Sequence, residues 1–259
     1  AGNPSYCDML VNQNPGAQAT LYQGRTQPDC EVLAGPQYAL LREAFQHSRQ
    51  TPDDPVRRCL IQLSATDPEN KTAEVIKGLL PCSIDLQFSV VLSGKAPYLA
   101  EVKKLIASDS RFRLHQDVVN MADFMKLHQV AIGAGGVAAL ERCAVGLPSL
   151  VMIIAENQRP GAQYLAYKDA VELIEAEQLP ALPELLSNLM NQPRKRRHMT
   201  AQGRRLIDGQ GCERVISAWK ERIPRRHLIP AQDCRLHQEV LYQWNQIPKI
   251  RRYARNTQA

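Results

Sequence analysis

The stretch from Gln129 to Gln158 limits the possible folds more than any other part of the chain. It reads Gln-Val-Ala-Ile-Gly-Ala-Gly-Gly-Val-Ala-Ala-Leu-Glu-Arg-Cys-Ala-Val-Gly-Leu-Pro-Ser-Leu-Val-Met-Ile-Ile-Ala-Glu-Asn-Gln. Val130 to Ile132 predicts a buried strand, and Gly133-Ala134-Gly135-Gly136 a tight loop. Val137 to Val145 predicts a helix, with Ala138, Ala139, Leu140, Cys143 and Ala144 as small or apolar packing residues. Gly146 suits the position just past the helix, and Leu147-Pro148 stops it. Ser149 to Ala155 predicts a second apolar strand. Strand, glycine loop, helix and strand make a βαβ unit, which implies a parallel sheet.

Glycines let the backbone approach a bound group closely. The N–H groups opening the helix point at that group, and the helix dipole adds partial positive charge, so a phosphate is the natural guest. The bland alternative is a tight strand-to-helix turn, since Gly-Ala-Gly-Gly is neither a P-loop nor a full dinucleotide fingerprint. Glu141 lies about one turn into the helix, where a carboxylate can reach a ribose beyond the phosphate. Its alternative is a solvated Glu beside Arg142. Glu156-Asn157-Gln158 follows a strand end directly, where ligands bind in open α/β sheets.

The run Ile-Gly-Ala-Gly-Gly…Leu-Glu-Arg-Cys…Gly-Leu-Pro-Ser-Leu-Val…Ile-Ala-Glu-Asn-Gln closely resembles the UDP-sugar hydrolase family of pseudaminic acid biosynthesis. That family cleaves UDP-2,4-diacetamido-2,4,6-trideoxy-β-L-altropyranose and is a GT-B-fold relative of the peptidoglycan N-acetylglucosaminyltransferase. Gly35-Pro36-Gln37-Tyr38-Ala39-Leu40-Leu41-Arg42-Glu43-Ala44-Phe45 resembles the segment linking the family's two Rossmann-like halves. The resemblance therefore implies a preceding domain outside this sequence. The alternative is a natural short protein, which leaves the segment around Asp8 to Asn14 with no sheet to join.

At 259 residues the chain has room for one large or two modest domains. No apolar run reaches the roughly 18 residues of a membrane span, and no secretory signal opens the sequence. Seven Cys are scattered without metal-ligand spacing, and Cys59 and Cys143 sit in apolar contexts as buried thiols, so a reducing cytoplasm is the expected location. Net charge is +6, and half of the 32 Lys and Arg lie beyond Pro193, in Arg194-Lys195-Arg196-Arg197, Arg225-Arg226 and Arg251-Arg252. No aromatic platform or recognition motif accompanies these clusters, so a solvated helical face is preferred to nucleic-acid binding.

The expected fold is α/β: a Rossmann-like parallel sheet with helices on both faces, the C-terminal half of a GT-B fold. Residues 1–50 read as the end of the preceding domain and a linker, and residues 51–223 as the UDP-sugar-binding domain. Residues 224–259 read as a linker followed by a stretch, Leu236 to Asn245 and Arg251 to Asn256, that resembles the opening of a GNAT acetyltransferase, which implies a truncated start of such a domain; the alternative is an amphipathic terminal helix. Strands are expected over Arg57 to Ala65, Leu86 to Leu92 and Phe112 to His115, and helices over Lys71 to Leu80, Pro97 to Ala107, Gly161 to Tyr167 and Pro180 to Met190. Asp67 reads as a helix cap with Pro68 at the first helical position. His115 is a base by residue type, but a lone His at a strand end is usually structural.

The resemblance implies hydrolysis, with water attacking the anomeric carbon and UDP leaving with inversion, and neither cofactor nor metal. The family's general base is a His in its first domain, so no residue of this chain inherits a catalytic role. The nucleotide falls to Gly135, Gly136, Val137 and Glu141, with Val118 and Met121 bordering the base, and the sugar to Asn157 and Gln158. Two departures stand out. Ser64 and Ala65 replace two glycines, and Val137 and Ala138 replace Ser or Thr, removing hydroxyls from the phosphate loop. The expected partners are a UDP-sugar and the preceding domain, not a membrane or nucleic acid. A GT-B UDP-sugar glycosyltransferase and a non-catalytic nucleotide-binding protein are the alternatives.

Overall fold

Short apolar runs alternating with amphipathic ones build a doubly wound sheet. The computed structural model describes residues 7–47 and 55–222. Residues 48–54, where the expected linker meets the binding domain, and the GNAT-like stretch lie outside the described residues. The chain divides into two units, residues 1–215 and 216–259, and of the second the structure describes residues 216–222.

Two strands, β1 (Met9–Asn12) and β2 (Glu31–Ala34), pair in parallel as a small sheet of their own. A short helix α1 (Ala44–His47) then leads to the main sheet. That sheet holds β3 (Arg58–Gln62), β4 (Gln87–Leu92), β5 (Phe112–Gln116), β6 (Val130–Ala134), β7 (Ser149–Met152) and β8 (Glu172–Ile174). Its order is β5-β4-β3-β6-β7-β8, all parallel. The direction of winding reverses between β3 and β6, where Gln62 pairs with Gly133. Such a switch point opens a crevice beyond the carboxyl ends of the strands.

Strand alternation sends successive side chains to opposite faces. Cys59, Ile61, Val90, Ile132 and Leu150 face one core, packed with α2 (Lys71–Leu79), α3 (Leu99–Ile106) and α7 (Leu182–Met190). Leu60, Val91, Ala131 and Val151 face the other, packed with α1, α4 (Met121–Lys126), α5 (Val137–Val145) and α6 (Arg159–Tyr167). The expected helices shift by a few residues at their ends. The stretch expected to open a helix at Pro180 is a 3-10 turn over Ala176–Ala181, and α7 follows it. Asp67 does cap α2, accepting from the backbone N–H groups of Lys71 (3.0 Å) and Thr72 (2.8 Å). The helix begins at Lys71, so Pro68 lies in the preceding turn and not at the first helical position.

The basic run after Pro193 lies on α8 (Pro193–Leu206), followed by α9 (Gly211–Arg222). Part of it turns inward. Arg196 donates to the carbonyls of Leu189 and Met190 at the end of α7, and Arg204 to that of Val145 at the end of α5. Cations there satisfy orphan carbonyls and meet the negative end of the helix dipole. Gly203 lets α8 approach closely, because a Cβ there would stand 3.2 Å from the Cys143 backbone.

Arg111 acts in the same way between α2 and β4. Its guanidinium donates to the carbonyls of Leu80 (3.1 Å), Ile84 (3.2 Å) and Cys82, and pairs with Asp109 at 2.7 Å. That pairing holds the Asp109 carboxyl below the usual range. Arg111→Met keeps the aliphatic stem and orphans these acceptors. We expect a loss of about 2–3 kcal/mol in urea denaturation, and an unchanged midpoint would show the clamp to be idle.

Candidate functional site

The loop after β6 opens at the switch point. Gly133 and Ala134, expected in the loop, extend β6, and the glycines of strand and loop face three different neighbours. Gly133 lies against the guanidinium of Arg142 and the carbonyl of Gln62, at 2.4 and 2.5 Å from where a Cβ would stand. Gly135 faces Ala162 at 3.0 Å, and Gly136 faces Nε2 of Gln158 at 3.4 Å. Gly136 also serves as the N-cap residue of α5, with extended backbone, no capping side chain and no acidic residue in the first turn. The opening N–H groups of α5 thus have no side-chain acceptor among the described residues, and no acidic side chain of the first turn offsets the helix dipole there. Val137 stands half exposed at that end. At the other end Gly146 has φ 83° and donates to the carbonyl of Arg142, which terminates the helix as its glycine predicts.

A pocket of about 310 Å³ lies over this helix start. Gly135, Gly136 and Val137 form its floor, and Asn157 and Gln158 one wall. Gln13, Asn14 and Pro15, which follow β1, line it as well. Gln158 leans over the glycines, and its buried Oε1 has no hydrogen-bond partner among the described residues. The third member of its motif, Glu156, is engaged elsewhere. It holds Arg159 at 2.7 Å, and Arg159 reaches Glu175 at 3.0 Å.

Of the residues singled out in the sequence, Gly135, Gly136, Val137, Asn157 and Gln158 come together around this pocket. Glu141 does not line it. Its side chain is only 17% exposed and sits 3.8 Å from Arg42, so it is not a solvated surface residue. Burial raises its pKa, against the opposing pull of Arg42 and Arg142. Val118 and Met121 turn their side chains into the second core, while Val119 points outward. The loop before α4 is pinned by Asp117, which accepts from the Gly94 N–H and the Ser93 hydroxyl at 3.1 Å. Ser64 and Ala65 lie on the same rim, where the Ala65 carbonyl accepts from the N–H of Ser93 at 2.8 Å. His115 lies elsewhere, against Phe124.

Sequence reading missed two parts of the site. One is the Gln13–Asn14–Pro15 wall, although a polar run at a strand end is the same signal that marked Glu156-Asn157-Gln158. The other is Arg142, which is wholly buried beneath the loop and donates from Nη2 to the carbonyl of Ala134 at 2.6 Å. Burial pulls its pKa down to about 10, so it stays cationic at neutral pH.

No family model matches the chain. It is 29% identical over 221 residues to the spore coat polysaccharide biosynthesis protein SpsG of Bacillus subtilis, covering 82% of this chain and 64% of SpsG. It is 27% identical over 165 residues to the UDP-2,4-diacetamido-2,4,6-trideoxy-beta-L-altropyranose hydrolase of Campylobacter jejuni, covering 64% of this chain and 59% of the hydrolase. The chain thus spans less than two thirds of the length of either relative. Among solved structures, MurG of Acinetobacter baumannii superposes with a TM-score of 0.58 at 14% identity, covering 82% of this chain and 66% of MurG. HepE of Anabaena, in complex with UDP and glucose, gives 0.55 at 14%, covering 83% and 63%. The architecture is GT-B-like. These structural likenesses bear out the α/β, Rossmann-like fold read from the sequence.

The glycine contacts separate Gly133, near the end of β6, from Gly136, in the loop that follows. Gly133→Ala drives a methyl into Arg142 and the Gln62 carbonyl and should cost about 3 kcal/mol. Gly136→Ala meets only the end of Gln158, at ordinary backbone angles, and should stay within about 1 kcal/mol of the parent. Urea denaturation of both variants checks this, and equal losses would contradict the packing described.

Proposed function

We propose that this chain supplies the nucleotide-binding half of a UDP-sugar-processing enzyme, with hydrolysis of a UDP-diacetamido-trideoxy sugar as the reading best supported. The observation that carries it is the uncapped start of α5 at the floor of the switch-point pocket. Backbone N–H groups at Gly136 and Val137 would receive the pyrophosphate, stabilising charge as UDP leaves. Asn157 and Gln158 would meet the sugar, and the unpartnered Oε1 of Gln158 calls for a donor such as a hydroxyl or amide N–H. Val118 and Met121 would border the base through the backbone of their loop. The proton acceptor for water would come from a preceding domain outside this sequence. The Campylobacter relative's hydrolase name favours hydrolysis. The second reading is a GT-B glycosyltransferase, favoured by the likeness to HepE with UDP and glucose; it uses the same nucleotide site with a different acceptor.

Calorimetry with UDP, ADP and GDP on this chain tests the nucleotide site. We expect UDP to bind and the purine nucleotides to bind more weakly; equal binding of all three counts against a uridine site. With the UDP-sugar as substrate, this chain alone should release no UDP at the rate of a full-length relative, and comparable turnover would refute the assignment of the base elsewhere.

Glu141→Gln separates two roles of one residue. If the carboxylate reaches the ribose, losing its charge weakens UDP binding by about tenfold. Stability should move in the other direction. Because burial raises the folded pKa above 4.5, the folded state binds the proton more tightly than the unfolded chain. Glu141's contribution is therefore present below the ordinary glutamate pKa and lost as pH rises through the raised one. Above that window the Gln variant should be at least as stable as the parent. Unchanged UDP affinity with an altered thermal midpoint would leave Glu141 a packing residue and remove the ribose from this position.

A further inference from the structure

The opposite end of the sheet holds a second cleft, of about 540 Å³, where β3, β4 and β5 begin. Arg58, Ser89, Arg113, His115, Phe124 and His128 line it. Its origin is the alternation of the edge strand. Phe112 and Leu114 of β5 pack into the first core, where the Phe112 ring stacks on Phe88 at 4.6 Å. Arg113 and His115 must then point to the other face. There Arg113 sits in register with Ser89, and His115 with Val91. Helix α4 lays Phe124 against both imidazoles, with ring centroids 4.8 Å from His115 and 5.0 Å from His128. The groove that remains is lined by the rings of Phe124, His115 and His128 together with the side chains of Arg58 and Arg113.

The charge in this groove is one-sided. No Asp or Glu is among its lining residues. Neither the Arg58 nor the Arg113 guanidinium has a hydrogen-bond or ion-pair partner among the described residues. Other arginines of this chain are occupied: Arg111, Arg159, Arg196, Arg204 and Arg214 all bind carbonyls or carboxylates. The imidazoles feel the local field. His128 is held down to about 4, by burial first and by Arg58 among lesser causes, and His115 is lowered by burial and then by Arg113. Both are therefore neutral at pH 7 and offer hydrogen bonds, not charge. His128 uses Nδ1 on the carbonyl of Phe124 at 2.9 Å. Nε2 of His115 is buried without a partner among the described residues, an arrangement that costs stability until something completes it.

We propose that this cleft binds a small oxyanion, the phosphate or carboxylate group of a metabolite, between Arg58 and Arg113, with a polar group of the same ligand meeting His115. Two guanidinium groups supply charge-assisted bonds, the strong class of hydrogen bond for such groups. A cleft of this volume is in the size range of small-ligand sites. It lies at the amino ends of the strands, away from the glycine loop, so it is separate from the nucleotide pocket and does not depend on what that pocket holds.

The test follows the histidine ring resonances of the whole chain by NMR during two titrations, one with inorganic phosphate and one with succinate. Ionic strength is held constant with sodium chloride. Saturable shifts of the His115 and His128 signals are expected with at least one anion, and the anion that saturates first names the source. Arg58→Gln and Arg113→Gln, both at exposed positions, should each weaken that response roughly tenfold or more while the chain stays folded. UDP binding, measured in parallel, should not change. Shifts that rise linearly with both anions, or saturable shifts that survive both substitutions, overturn the proposal.

Discussion

Arg142 lies wholly inside the protein, with its Nη2 held 2.6 Å from the carbonyl of Ala134. A buried guanidinium is costly unless hydrogen bonds surround it, and here its Nε and Nη1 have no partner among the described residues. What the arrangement secures is the course of the chain at the end of β6. The guanidinium lies where a Cβ of residue 133 would be, so that residue is glycine. Gly133 pairs with Gln62 across the switch point, and the loop leaves the sheet from there. The direction of the following N–H groups, and hence the shape of the pocket floor, depends on this one packing contact.

Cations serve the rest of the fold in a related way. Arg111 ties the end of α2 to the approach to β4, Arg196 closes α7, and Arg204 closes α5. Each gathers backbone carbonyls that a helix or turn leaves orphaned, and each links separate segments of the chain. A high isoelectric point therefore need not mean a nucleic-acid surface. The run after Pro193 does lie on a helix, but two of the arginines on that helix are capping groups directed inward, not solvated charges.

The contrast between the two clefts follows from strand polarity. Parallel strands place all their carboxyl ends on one side, where loops and helix starts gather peptide N–H groups. The same polarity turns the carboxyl ends of helices, which offer carbonyls, toward the amino ends of the strands, so an anion there must be met by side chains. On that side recognition depends on which residues the alternation of the edge strand turns outward, and in β5 these are Arg113 and His115.

Local periodicity was enough to determine the alternation of strands and helices, the parallel sheet and the glycine loop at a strand end. These depend on backbone geometry and on neighbours within a turn or two. Helix α5 was legible to the residue, because Gly136 opens it and Gly146 closes it. Tertiary structure alone decided how charged residues on that helix are used. The helical period puts Arg142 on the stripe of Ala139 and Cys143, and α8 and the sheet cover that stripe, so the charge is buried. Glu141 is shielded because Arg42, nearly a hundred positions away, approaches it. The pocket wall of Gln13, Asn14 and Pro15 likewise comes from a strand outside the main sheet, and Pro15 packs on Gly161 of α6. Contacts of this range are set by how layers stack, and a sequence pattern of period two or 3.6 carries no information about which distant segment will complete them.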